Sequence, residues 1–181
     1  MMTNYHNSPL NYTGSKYKLL DQLLVEFDYD KSNFIDLFAG SFVVGANVVD
    51  HYDQIIGNDI IVELIEIHKE LLRGDKIIEL TKLVCPNKND QEAYIELRKK
   101  FNLERKPEQL YALMLSCQNN FLRFNKKMIF NQTFGKRSWN SATDIKVENW
   151  TEHIRKYKNK ILLKSCNFNE IEFNSTFTVV I

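Results

Sequence analysis

Leucines at positions 19, 20, 23 and 24 recur at the spacing of one helical face, so Ser15–Phe27 predicts a first amphipathic helix. "NFIDLF" (33–38) is short, apolar and rich in strand formers, and predicts a strand. In the following "AGSFVVGANVVDHY", Gly40 allows a tight exit turn and Ser41 can cap a helix. "DQIIGNDI" (53–60) predicts a second strand, and "IVELIEIHKELLRG" (61–74) an amphipathic helix closed by Gly74. A strand–helix–strand–helix order implies a parallel sheet with a right-handed crossover.

From Asp75 the pattern turns helical, with helices predicted over 75–84, 90–104 and 107–122, Pro107 standing in the first turn of the last. Residues 123–147 have little helical period and are rich in Asn, Lys, Arg, Thr and Ser. A helix returns at 149–157, followed by strands at 160–165 and 176–181. The organisation is thus an α/β core (1–74 and 148–181) interrupted by a helical, basic insert (75–147).

Composition narrows the class. The chain has 181 residues, 44% of them apolar and 26% charged, enough for one domain with a real core. No run approaches the ~18–20 apolar residues of a membrane span. "MMTNYHNSPLNY" has no apolar core of a secretory leader. Cys85, Cys117 and Cys166 are odd in number and dispersed, which fits free thiols in a reducing cytoplasm. His6, His51, His68 and His153 give no zinc spacing, so no metal is expected. The net charge is +1, yet no acid occurs from Gln109 to Thr143, where Arg123, Lys126, Lys127, Lys136 and Arg137 all fall. That excess marks an anionic partner, or a solvated basic loop whose counter-charges come from elsewhere in the fold.

The strand, small turn and helix of "FIDLFAGSFVVGANVV" place backbone amides at the carboxyl end of a sheet, where open α/β folds bind ligands. Only Gly40 and Gly45 are present, so the spacing is not G-x-G-x-x-G. The second strand ends in "GNDI", placing Asp59 at the adjacent tip. An acid there can hydrogen-bond a ribose, or simply cap the helix that starts near Ile61. Together the two strands point to an adenosine-containing cofactor.

Four blocks, "NYTGSKYKLL" (11–20), "FIDLFAGSFVVGANV" (34–48), "GNDI" (57–60) and "FNQTFGKRSWN" (130–140), resemble the N6-adenine DNA methyltransferases of the DNA adenine methyltransferase type, the phage-encoded members most of all. "EAYIELRKKFNLERKPEQLYALMLSCQNNFLRFN" (92–125) is similar to that family's helical lead-in to a target-recognition hairpin. The resemblance implies a Rossmann-like S-adenosylmethionine-dependent core with an inserted helical and β-hairpin DNA-recognition region, the hairpin lying near 121–140. It implies that Tyr12, Gly14 and Lys16 of the aromatic-x-G-x-K block lie against S-adenosylmethionine. Phe38, Ala39 and Gly40 would line the methionine-binding turn, and Asp59 would hold the ribose. Phe168 resembles an aromatic packed on the cofactor adenine, though an ordinary core phenylalanine fits as well.

In "FLRFNKKMIFNQTFGKRSWN" (121–140) aromatics interleave with basic groups and amides. Arg can fork onto guanine and Asn can read adenine, while Lys attracts phosphate. By resemblance Arg137, then Arg123 and Asn125, are expected to read bases of duplex DNA, and Lys126, Lys127 and Lys136 to touch phosphates. Each lysine could equally be a solvated charge. Thr133 stands where the family commonly has proline before "FG", and the turn "NKKMIF" lacks the glycine common there. Both bear on target preference, for which GATC is the family's usual site.

The family's amine-positioning block, D-P-P-Y, is absent: the prolines are Pro9, Pro86 and Pro107, none preceded by Asp. The expectation is therefore an incomplete methyltransferase core. Its last strand, "FTVVI" (177–181), would deliver D-P-P-Y and forms an open apolar edge. Such a chain would not methylate DNA alone. It could persist as a DNA- or cofactor-binding remnant, or pair with a second polypeptide supplying the other half of a split enzyme. By the same resemblance, it would work in the cytoplasm of a bacterial or phage-infected cell.

Overall fold

The computed structural model describes residues 5–172 and 174–180. Strands β1 (Asn33–Asp36), β2 (Gln54–Asn58), β3 (Ile161–Lys164) and β4 (Phe177–Val180) form one sheet in the order β3-β2-β1-β4. Every pairing is parallel, with Asn33 opposite both Gln54 and Phe177, and Ile56 opposite Leu162. The protein is thus α/β, as the strand–helix alternation requires. Ile181, placed by the sequence pattern at the end of β4, lies outside the described residues.

In-register parallel neighbours share a face. Phe34, Ile55 and Leu163 point into the main core, together with α2 (Val43–Val48), α3 (Val62–Arg73) and α7 (Ser141–Lys156). Ile35, Leu37 and Ile56 form a smaller cluster on the other face, covered by Ile171 from the segment between β3 and β4. Residues 75–116 contribute α4 (Lys76–Val84), α5 (Gln91–Glu104) and α6 (Pro107–Ser116). From Gln109 to Ser116 every residue of α6 is buried, because it runs between α3, α4 and α5. A helix apolar on all sides is stable only in such a position. Its residues join the same hydrophobic cluster as Phe34 and Ile55.

Three elements differ from expectation. Ser15–Phe27 is not one helix but a single α turn, α1 (Leu20–Leu23), between 3-10 turns at Lys16–Leu19 and Leu24–Glu26. Of its four leucines only Leu20 is fully buried, and Leu19 stays 43% exposed, so the packing that would hold a continuous helix is missing. α6 stops at Ser116 rather than 122, where Cys117 becomes extended and bridges Phe134. α7 starts at Ser141 rather than 149, because the Asn140 side chain accepts from Thr143 N (3.1 Å) as an N-cap. Ser41 does not cap α2: Phe42 is the cap residue, in left-handed backbone (φ 57°), and Ser41 Oγ instead donates to Ser15 Oγ.

Candidate cofactor site and nucleic-acid interface

The turn after β1 is held at Gly40 from three sides. Gly40 N donates to Asp59 Oδ2 (3.1 Å), and Gly40 O accepts from His68 Nε2 on α3 (2.9 Å). A carbonyl only accepts, so Nε2 carries the proton, and burial lowers the His68 pKa to about 4, keeping the ring neutral. The third side is Tyr12: a Cβ on Gly40 would sit 2.9 Å from Tyr12 Cε1. With φ +47° as well, the position demands glycine twice over.

Around this turn lies a cavity of about 340 Å³ lined by Tyr12, Gly14, Lys16, Phe38, Ala39 and Gly40, all six expected there, and by Thr13, Ser15, Asp36, Ser41 and Val43. Volumes near this lie at the small end of ligand sites. Asp59 stands behind the wall rather than in it. Its two oxygens are occupied by Gly40 N and Ile61 N (3.0 Å), so it joins the turn to the start of α3. Its pKa is raised, mainly by burial. Phe168 does not line the cavity but packs on Phe38, ring centroids 5.5 Å apart, both about half exposed at the rim.

Two residues of the site were not singled out in the sequence. Asp36 is buried in the cavity wall at the end of β1, and burial lifts its carboxyl pKa to about 7, with the Gly45 and Phe38 amides pulling the other way. An acid inside "FIDLF", an otherwise apolar strand, was the available signal. Asn58, 1% exposed, ties three strand ends together. Its Nδ2 donates to Leu37 O and Cys166 O (both 3.2 Å), and its Oδ1 accepts from Cys166 N (3.1 Å). It thereby fixes the segments carrying Phe38 and Phe168.

Residues 117–135 leave the core as an irregular antiparallel hairpin. Bridges form at Cys117–Phe134 and Phe124–Phe130, and Asn131 N donates to Arg123 O (3.1 Å). Gly135 lies against Cys117, where a Cβ would meet the carbonyl oxygen at 2.3 Å. The tip turns without glycine: Met128 takes the left-handed conformation (φ 56°), and Asn125 Oδ1 accepts from Lys127 N (2.9 Å) and Ile129 N (3.0 Å). Asn125 is thus engaged as an acceptor within the turn. Arg123, Lys126, Lys127, Thr133, Lys136 and Arg137 are all exposed, beside Phe121, Met128 and Ile129. Arg137 donates to Asn120 Oδ1 (3.0 Å) and Thr133 to Gln118 Oε1 (2.7 Å).

One face of α5, continued by its C-cap residue Arg105, stitches the returning arm in place. Tyr94 OH and Arg98 Nη1 donate to Gln132 O (both 2.9 Å), Asn102 pairs with both the N–H and C=O of Phe130 (2.8 and 2.9 Å), and Arg105 Nη1 donates to Met128 O (2.9 Å). From Arg98 to Arg105 the partners move back along the arm through Gln132, Phe130 and Met128, every second residue. Thr13 Oγ1, in the wall of the cavity around Gly40, meets Asn119 O and Asn120 O (3.0 and 3.2 Å), joining the hairpin root to that cavity.

A parallel sheet with a glycine turn, an acid at the neighbouring strand tip and a basic hairpin beside them defines a Rossmann-like core with a cavity at the carboxyl end of its strands. Residues 12–177 match the family of D12 class N6 adenine-specific DNA methyltransferases. The chain belongs to that family. It is 34% identical over 74% of its length to the type II methyltransferase M.FokI of Planomicrobium okeanokoites, covering 21% of that protein. It is 31% identical over 94% of its length to the modification methylase StsI of Streptococcus sanguinis, covering 26% of it. A DNA adenine methylase of Salmonella typhi is 29% identical over 70% of the chain, which covers 47% of that relative. The chain therefore spans from about a fifth to about half of these relatives' length. Among the described residues no helix is long and apolar enough to cross a membrane.

Proposed function

We propose that this chain forms the S-adenosylmethionine-binding and target-reading portion of a DNA adenine N6-methyltransferase acting on duplex DNA. The observation that carries the reading is the cavity at the carboxyl end of β1, where six expected residues converge beside the basic hairpin. Its donor set suits this cofactor, which bears a carboxylate, an ammonium and a sulfonium. Lys16 offers a cation, and Asp36, its carboxyl lifted to about 7 by burial, a group that a bound ammonium would favour in its ionised form. The rim pair Phe38–Phe168 offers apolar faces for an adenine ring. Asp59 keeps its place by holding the Gly40 turn, and reaches the ribose only by sharing its oxygens. When bound, the cofactor supplies a methyl group to the adenine amine.

On the DNA side, Arg123 and Arg137 read base edges while Lys126, Lys127 and Lys136 meet phosphates. Thr133 contributes through its place on the exposed arm, and Asn125 through the shape of the tip. The exposed Met128 and Ile129 are suited to wedge beside an extruded base. The 181 residues contain no D-P-P-Y. Positioning of the amine then falls to groups outside them, in the same or a second polypeptide, and these residues bind without turnover. The test combines two assays on the purified chain. A GATC-containing duplex should bind in a salt-dependent manner, more tightly with S-adenosylhomocysteine present. The same duplex incubated with S-adenosylmethionine should yield no N6-methyladenine. Absence of DNA binding, or clear methylation, would overturn the respective half.

A further inference from the structure

Beyond the hairpin, a second groove of about 560 Å³ opens between the α4–α5 loop, the 136–140 segment and the first turns of α7. Lys88, Lys136, Arg137 and Lys146 line it, and no aspartate or glutamate does. All four are exposed, and among the described residues none of them forms an ion pair. Asp144 and Glu148, the acids nearest in sequence to Lys146, both line a different groove together with Lys82. Lys82 pairs with Asp144 at 2.5 Å and the Trp139 indole donates to it at 2.9 Å. Four unopposed cations from three separate segments, converging on one concave surface, repel one another. Such a cluster is stable at low cost only where an anion or water separates the charges.

The groove has a direction. Lys136 and Arg137 stand both here and at the base of the hairpin, and Asn11, which also lines the groove, precedes Tyr12 of the cavity around Gly40. An extended polyanion lying across the hairpin and past the cavity mouth therefore continues into this groove. We infer that Lys88 and Lys146 form a second phosphate-contact track, which grips the DNA backbone flanking the target site. This assignment rests on the duplex-DNA reading above. Lysines at the ends of flexible stems supply affinity without base discrimination, so the track sets how strongly DNA is held and not which sequence is chosen.

The test measures affinity against salt concentration for a fluorescent duplex carrying GATC and for a scrambled duplex. The wild-type chain is compared with Lys88→Gln/Lys146→Gln and with Lys31→Gln, a control before the amino end of β1. Each lost phosphate contact lowers the slope of log K against log salt by about 0.9. The double variant should flatten the slope by nearly 2, weaken both duplexes by the same factor, and leave S-adenosylhomocysteine binding unchanged. Lys31→Gln should match wild type. A wild-type slope in the double variant would overturn the track while leaving hairpin binding standing. A loss confined to the GATC duplex would recast these lysines as part of base reading and overturn it too. If the wild-type chain shows no salt-dependent binding, both this inference and the DNA reading fail.

Discussion

Gly40 is where the site is most tightly specified, so Gly40→Ala is the sharpest perturbation. Two costs arise. At φ +47° an alanine is strained by about 1–2 kcal/mol. Its Cβ also falls 2.9 Å from Tyr12 Cε1 and 3.1 Å from Cζ, so the ring must move out of the cavity wall. Gly14→Ala separates the two, since Gly14 also has positive φ (+89°) but a Cβ there meets nothing within 4 Å. Strain alone should lower Tm by about 2–8 °C in both variants, at about 2–4 °C per kcal/mol for a chain of this size. Only Gly40→Ala displaces Tyr12, and its affinity for S-adenosylhomocysteine by calorimetry should fall at least about tenfold more, some 1.4 kcal/mol. In a Tyr12→Ala background the same substitution should cost little beyond strain, giving a coupling of about 1 kcal/mol or more. Equal affinity losses in the two glycine variants, or additivity with Tyr12→Ala, would refute the role assigned to the Gly40–Tyr12 contact.

Asn102→Ala removes both partners of the buried Phe130 backbone, so stability should drop by about 1–3 kcal/mol. Denaturant titration reads that loss, and DNA anisotropy should show weaker GATC preference with cofactor affinity intact. Asn58→Leu strips hydrogen bonds from Leu37 and Cys166 and should weaken cofactor binding by loosening the Phe38–Phe168 rim, visible as faster hydrogen exchange at Cys166. Stability against pH carries two opposed contributions. Asp36 has a folded pKa of about 7 against 3.8 unfolded, so the folded state holds more protons and stability falls as pH rises through that window. His68 has a folded pKa of about 4 against 6.5, so its contribution is lost as pH falls through that window. Asp36→Asn should therefore leave stability rising from pH 4 to 6.5, and His68→Phe should leave it falling toward pH 7. A common slope in both variants would contradict these assignments.

Strong periodic segments were legible because local and tertiary demands agree there. β1, β2 and α3 have apolar runs or faces that the sheet core needs, and they fold within two residues of their expected bounds. Failures occurred where a side-chain contact outweighed periodicity. Asn140 starts α7 two turns before its apolar stripe becomes evident, and the Cys117–Phe134 bridge ends α6 inside a stretch that still reads as helical. The glycine turn and the aromatic-x-G-x-K block pointed to most of the residues that line the cavity around Gly40. Asn58 escaped because its importance lies in burial, which one sequence does not display, whereas Asp36 carried one signal, an acid inside an apolar strand. The α5 ladder was hidden for a related reason: Tyr94, Arg98, Asn102 and Arg105 look like ordinary helix-surface residues until the arm at 128–132 is laid against them.

Calorimetric titration of S-adenosylmethionine into the 181-residue chain decides whether the cavity around Gly40 is a cofactor site. Saturable one-to-one binding is predicted, lost or at least about tenfold weaker in Tyr12→Ala and Lys16→Ala and unchanged in Lys31→Gln. Wild-type binding that both cavity variants retain in full, or no binding by a chain shown to be folded, would contradict it.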